Sequence, residues 1–171
     1  MDPIGFLPDL SCSFTGMNGL HELKIADVRK ETAGCVSVAF DVPDALASDF
    51  AFEAGQYLTL EADIKGETVR RSYSLCSAPS DSEWRVAIKK VENGIFSTWA
   101  NSELLSGDTI RCMAPMGRFT LETSPADSRN FIAFAAGSGI TPILSQIKEV
   151  LRMELNSVFT LFYIIFLTRI M

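Results

Sequence analysis

Four consecutive residues, Arg71-Ser72-Tyr73-Ser74, have side chains suited to a flat, phosphorylated ligand. Arginine is always charged and its guanidinium forks onto phosphate oxygens. Tyr73 stands two residues after Arg71, so in a strand the two share a face. Its ring can stack on a heterocycle. The Ser74 hydroxyl both donates and accepts, which suits a ring nitrogen that changes role on reduction. Ideal alternation points Ser74 away from Tyr73. Either the strand bends there or the backbone N–H of Ser74 makes the contact. Arg70, Arg71, Lys89 and Lys90 form a local basic cluster in an acidic chain, which points to a bound anion. Gly94-Ile95-Phe96-Ser97 then opens a helix. Its free backbone N–H groups and dipole favour negative charge. Gly94 lets a phosphate approach the backbone and Ser97 adds a hydroxyl. Together these residues are suited to a pyrophosphate.

A second candidate is Gly137-Ser138-Gly139-Ile140-Thr141-Pro142, a turn between an apolar strand and a helix. Thr141 is expected to cap that helix and Pro142 to fit its first turn. The glycines permit close backbone approach by a ligand. Pro142 stands where the dinucleotide fingerprint G-x-G-x-x-G has its third glycine, so the motif is a variant.

The elements that must position these residues divide in two. From Glu22 to about Leu121 the apolar period is two. Leu23 and Ile25 mark one strand, and Val36, Val38 and Phe40 the next. Tyr57 to Leu60 follows Gly55, with a turn expected over Asp63–Gly66. Arg70 to Leu75, Trp84 to Ile88, Thr109 to Cys112 and Arg118 to Leu121 complete the strand set. Short strands separated by turn residues read as an antiparallel barrel or sandwich. One helix interrupts them, with Phe96, Trp99, Ala100 and Leu104 on a face between Gly94 and Gly107. After Thr123 the pattern changes. Ser124 to Ser128 is linker-like. An apolar strand, Phe131–Ala135, leads into a helix from Thr141 to about Met153, whose Ile143, Leu144, Ile147 and Leu151 are expected to share one face. A second apolar strand spans Val158–Tyr163. Strand, helix, strand with apolar runs is a parallel βαβ unit. The division is residues 1–16 as a leader, 17–123 as the barrel and 124–171 as the opening of an α/β domain.

The chain has 171 residues and a net charge of −6, which argues against a nucleic-acid partner. Cys12, Cys35, Cys76 and Cys112 are widely spaced, without a metal-ligand pattern. They read as reduced thiols of a cytoplasmic protein. The N-terminus lacks the basic start of a signal peptide. The ten-residue run Val158–Leu167 is short of the roughly 20 residues of a membrane-spanning helix. No membrane association is expected.

The order and spacing of these pieces resemble the ferredoxin–NADP reductase superfamily. The matching pieces are Gly55-Gln56-Tyr57, Arg71-x-Tyr73-Ser74, Ile88-Lys89, Gly94-x-x-Ser97 and Pro115-x-Gly117, covering most of residues 22–142. Within that superfamily, His21–Phe40 and Arg70–Trp99 are most similar to reductases that serve phenylacetyl-CoA epoxidation in phenylacetate degradation. The resemblance implies a six-stranded antiparallel Greek-key barrel that binds FAD, followed by an incomplete α/β nicotinamide-binding domain. It assigns Arg71 to the pyrophosphate, Tyr73 to the isoalloxazine face and Ser74 to its N5 side, Tyr73 and Ser74 being the catalytic pair. It adds Ser72, Ile88 and Lys89 to the cofactor site, and gives Gly94, Ile95, Phe96 and Ser97 the phosphates through their backbone. Gly137, Ser138, Gly139, Thr141 and Pro142 become the contact for NAD(P)H, the electron donor. Full-length members carry a [2Fe–2S] domain, and no cysteine-rich segment here is suited to hold such a cluster. Oxygenase subunits of a multicomponent complex are the implied partners. After Tyr163 the family's ribose-reading residues are replaced by Ile164-Ile165-Phe166-Leu167, so the chain reads as truncated. The expected activity is electron transfer from NAD(P)H through FAD to an iron–sulfur acceptor. The alternative is an FAD-binding module without NAD(P)H turnover.

Overall fold

The structure, a computed structural model, describes residues 19–164. The expected leader 1–16, Cys12 and the end of the apolar run after Ile164 lie outside them.

Six antiparallel strands form the first unit: β1 (Leu20–Thr32), β2 (Cys35–Asp41), β3 (Tyr57–Ile64), β4 (Glu67–Ser74), β5 (Trp84–Lys89) and β6 (Thr109–Met116). Their order is β4-β3-β6-β1-β2-β5, so hairpins β1–β2 and β3–β4 are joined through β6. The β3–β4 turn is narrower than expected. Only Lys65 and Gly66 lie outside the strands, both with positive φ (52° and 86°), as a two-residue hairpin requires. The alternating apolar residues meet in one core that includes Leu23, Ile25, Val38, Leu58, Leu60, Val86 and Ile88. Helix α1 (Ile95–Ser102) adds Phe96 and Ala100 to this core.

The edge strands β4 and β5 touch at one bridge, Leu75–Val86, beside which Cys76 N–H donates to the Arg85 carbonyl (2.8 Å). The sheet therefore curls until its edges meet at a point, and beyond that point they diverge.

The expected strand Arg118–Leu121 does not form. Gly117 has φ +126°, where an added Cβ would lie 3.1 Å from the Tyr57 ring, and the chain turns out of β6 there. The segment then runs back across Gly55, where the Phe119 carbonyl would lie 1.9 Å from an added Cβ.

The second unit is β7 (Asn130–Ala136), α2 (Ile140–Met153) and β8 (Val158–Ile164), with β7 and β8 parallel and in register. Ile140, Ile143 and Ile147 of α2 cover Ala133, Ala135 and Phe159. Leu144 and Leu151, expected on that face, are exposed instead. At about 100° per residue Leu151 and Leu144 lie only about 20° and 40° beyond Ile140, at the rim of the stripe 140-143-147, and it is there that the helix meets solvent.

Candidate functional site

The cleft between the diverging edges of β4 and β5 gathers residues from both sequence candidates. Ser72, Tyr73 and Ser74 form one lip, Ala87, Lys89 and Val91 the other, and Ser138 and Thr141 close one end around about 270 Å³. Typical ligand pockets hold roughly 300–1,000 Å³, so this cleft is sized for part of a large ligand. A second hollow of about 510 Å³ lies on the other side of the approach to α1, lined by residues including Lys65, Lys90, Gly94, Ile95, Thr98 and Trp99.

The register of β3 on β4 runs unbroken from Ile64–Glu67 to Tyr57–Ser74. Alternation therefore holds through Ser74, with no bulge there. Tyr73 is half-buried against the core, and its ring meets Phe96 at 5.7 Å and a 36° tilt. Phe96 in turn packs edge-on against Trp99 at 5.5 Å. Burial pushes the Tyr73 phenol up to about 12, against the opposing charge of Arg71, so the ring is neutral at any ordinary pH. Ser72 lies on the other face, its hydroxyl 2.9 Å from that of Thr59.

The basic cluster is smaller than its sequence suggests. Arg70 stands opposite Glu61 and binds its carboxylate through Nε (2.9 Å) and a terminal nitrogen (2.5 Å). Arg111 holds the other oxygen of Glu61 at 2.8 Å. The hydrogen bond from Arg70 leads the effects that lower the Glu61 pKa. Arg70 is thus committed to a surface ion network. Arg71, Lys89 and Lys90 make no ion pair among the described residues and are exposed. Arg71 bonds only the carbonyl of its neighbour, at 2.7 Å.

The approach to α1 is held from within. The Ser97 hydroxyl accepts the Val91 N–H at 3.1 Å and is buried, so it shapes the turn instead of facing a ligand. Asn101, which the motifs did not single out, donates to the carbonyls of Ile88 (3.0 Å) and Ser97 (2.8 Å). Its signal was its place one turn after Ser97. Ile88 has its side chain wholly in the core, between the cleft-lining Ala87 and Lys89. No side chain caps α1, which leaves its first backbone N–H groups open beside Gly94. These features fit a bound dinucleotide: a slot between sheet edges, an aromatic wall with rigid backing, unpaired cations and open helix-terminal donors.

The glycine turn differs in detail from expectation. Gly137 takes φ +52°, and Gly137–Gly139 form a short 3-10 turn. Helix α2 begins at Ile140, so Thr141 is inside its first turn with Pro142. The Thr141 hydroxyl donates back to the Ser138 carbonyl at 3.0 Å in place of capping an N–H. Tyr163 of β8 donates its phenol to the Gly137 carbonyl at 3.1 Å.

A protein-family profile described as "Oxidoreductase FAD-binding domain" matches residues 22–121. The chain belongs to this family. A subunit of the 1,2-phenylacetyl-CoA epoxidase of Escherichia coli K12 is 40% identical over 147 residues, which are 86% of this chain and 41% of that protein. The ferredoxin reductase component of the 3-ketosteroid-9-alpha-monooxygenase of Rhodococcus rhodochrous is 39% identical over 132 residues, 75% of this chain and 36% of that one. Among solved structures, phthalate dioxygenase reductase superposes with a TM-score of 0.68 at 29% identity, covering 86% of this chain and 44% of its own. The chain thus spans about two fifths of the length of the relatives it matches. Two of the three are named as reductases, one of a monooxygenase and one of a dioxygenase. Of the thiols described here, burial pushes Cys112 up to about 12 and also raises Cys35 and Cys76, so none is an activated nucleophile. Among the described residues no helix is long and apolar enough to cross a membrane, and no cluster is suited to a metal.

Proposed function

We propose that this FAD-binding domain takes electrons from NAD(P)H into flavin for an iron–sulfur acceptor of an oxygenase system. The observation that carries this reading is the meeting of Ser72–Ser74, Lys89, Ser138 and Thr141 around one cleft. FAD, when bound, accepts a hydride (two electrons with one proton) from a dihydronicotinamide and gives the electrons onward singly. The chain's own residues bind and orient. Tyr73, backed by Phe96, provides a wall for the ring system, with the backbone N–H of Ser74 beside it. Arg71 and the open N–H groups of Ile95, Phe96 and Ser97 hold the pyrophosphate, while Gly94 keeps that approach clear. Lys89 adds positive charge at the cleft. Gly137, Ser138, Gly139 and Thr141 face the nicotinamide, with Pro142 fixing the turn behind them. Service to phenylacetyl-CoA epoxidation is the preferred context, because the identity to that epoxidase component extends over 86% of the chain.

The test is to purify the chain with added FAD and record its visible spectrum. Stoichiometric bound flavin is expected. Replacing both Arg71 and Tyr73 by alanine is expected to weaken FAD binding about 100-fold, or about 3 kcal/mol. A colourless protein, or unchanged flavin in the double variant, overturns the reading. Anaerobic bleaching by NADH or NADPH marks a working donor site. Bleaching by dithionite alone marks a flavin module without turnover.

A further inference from the structure

Helix α2 carries a polar stripe whose contacts beyond Thr141 the cofactor site does not use. Thr141, Ser145, Glu149 and Arg152 recur at intervals of four, four and three, so they lie along one side of the helix. Thr141 lines the same cleft as Ser74. One turn on, the Ser145 hydroxyl donates to the Ser77 carbonyl at 2.6 Å, with Ser145 fully buried. A further turn on, Glu149 accepts from the Ser80 N–H (3.1 Å) and the Ser80 hydroxyl (2.7 Å). Arg152 then reaches Asp81 at 2.7 Å, and Lys148 reaches the same carboxylate at 3.4 Å. Gln146 fastens the near side, donating to the Phe119 carbonyl at 2.9 Å. The partners 77, 80 and 81 follow one another in the same direction as 145, 149 and 152. The chain leaving β4 and the helix leaving the glycine turn are thus zipped side by side, starting at the cleft.

Such an array specifies register in a way that apolar packing does not. Sliding α2 by one turn, about 5.4 Å, would unpair Ser145 and Glu149 together. Both are buried, and a buried polar group without a partner is costly. We propose that Ser145 and Glu149 are positioning residues. They fix where the turn Gly137–Thr141 stands against Ser72–Ser74, and so how a nicotinamide meets the flavin. This rests on the flavin reading above. Misplacing reacting groups by about 1 Å can cost about 100-fold in rate, so a loosened zipper should be visible in turnover.

Cys76 reports on the zipper directly. It lies between the cleft and Ser77, is 7% exposed, and is within reach of the Lys148 charge. In the full chain loaded with FAD, Ser145→Ala with Glu149→Ala should raise alkylation of Cys76 by N-ethylmaleimide about tenfold. Cys112, buried in the barrel core, should remain unlabelled. Bound FAD per chain and bleaching by dithionite should be unchanged, while bleaching by saturating NADH or NADPH should slow about tenfold or more. Glu149→Gln, which keeps an acceptor for the Ser80 N–H, should restore most of both effects. Unchanged Cys76 labelling overturns the zipper. Opened Cys76 with an unchanged NADH rate overturns the positioning role, as does an unaltered chain that neither nicotinamide bleaches. A chain that binds no FAD is a different failure, that of the flavin reading, and the Cys76 measurement still decides whether the zipper exists.

Discussion

The barrel and the β7–α2–β8 unit are held by different physics. Among the described residues, nineteen buried ones form the barrel's apolar core, from Leu23 to Cys112, whereas Ala133, Ala135 and Ile143 form the buried cluster of the second unit. On the uncovered face of its sheet, Ile132 and Phe134 are 67% and 71% exposed, and Phe134 stacks on Phe162 at 5.0 Å. What ties this unit down is polar: the α2 stripe on the barrel side, and Glu154 at its far end. Glu154 is fully buried. It pairs with Arg129, accepts from Ser157 at 2.6 Å and from the Ser124 N–H at 3.2 Å, and so clasps the linker to the end of α2. Apolar burial gives the barrel its shape largely without regard to direction. Polar pairs give the second unit its place, because each has one partner at one distance.

The difference can be broken from the barrel side first. Phe96 is 1% exposed and backs Tyr73. Phe96→Ala is expected to cost about 3–5 kcal/mol in denaturant unfolding and to lower flavin retention as well. An equal loss of stability with full flavin retention would separate the core from the aromatic wall. Gly55→Ala comes next. Its φ of +106° and the 1.9 Å approach of the Phe119 carbonyl force backbone to move, for about 2–4 kcal/mol by the same measurement.

Acid should act most on the second unit, although Glu61 in the barrel is lowered as well. Hydrogen bonding from Arg129, foremost, holds Glu154 down at about 2 against burial, where an ordinary glutamate titrates near 4.5. A depressed carboxylate stabilises the fold above its unfolded pKa and loses that contribution as pH falls toward its folded one. Between pH 4.5 and 2, amide exchange in 124–129 and 150–158 should therefore rise before exchange in the barrel strands. Asp81 adds to the effect. Burial works against its charge, but the Ala78 N–H, Arg152 and Lys148 outweigh that and lower its pKa. The smallest effect is expected at the open sheet face. Phe134→Ser should change barrel stability by less than about 0.5 kcal/mol while reducing light scattering on concentration.

Most of the fold was legible because alternation and period 3.6 report burial directly. Leu23 and Ile25, or Phe96 and Ala100, lie where their spacing requires. Arg118–Leu121 alternated as well, but Gly117 and the crossing over Gly55 decided its course, and neither is a local signal. The site was legible as residue types rather than roles. Arg70 looked equivalent to Arg71 until the register paired it with Glu61. Ser97 looked like a ligand hydroxyl until it met the Val91 N–H. Thr141 looked like a cap until the helix began one residue earlier. In α2 the apolar residues drew the eye to Leu144 and Leu151, while the informative stripe was the polar one, whose partners lie some 70 residues away.

The bridge at Leu75–Val86 has a consequence for how the protein meets its neighbours. Past it, main-chain donors and acceptors along β4 and β5 face each other across a gap too wide to pair. Two such bare edges are templates for strands of another molecule. A ligand wedged in the gap would screen them. A dinucleotide held there as proposed would thus also keep the protein from sticking to its neighbours.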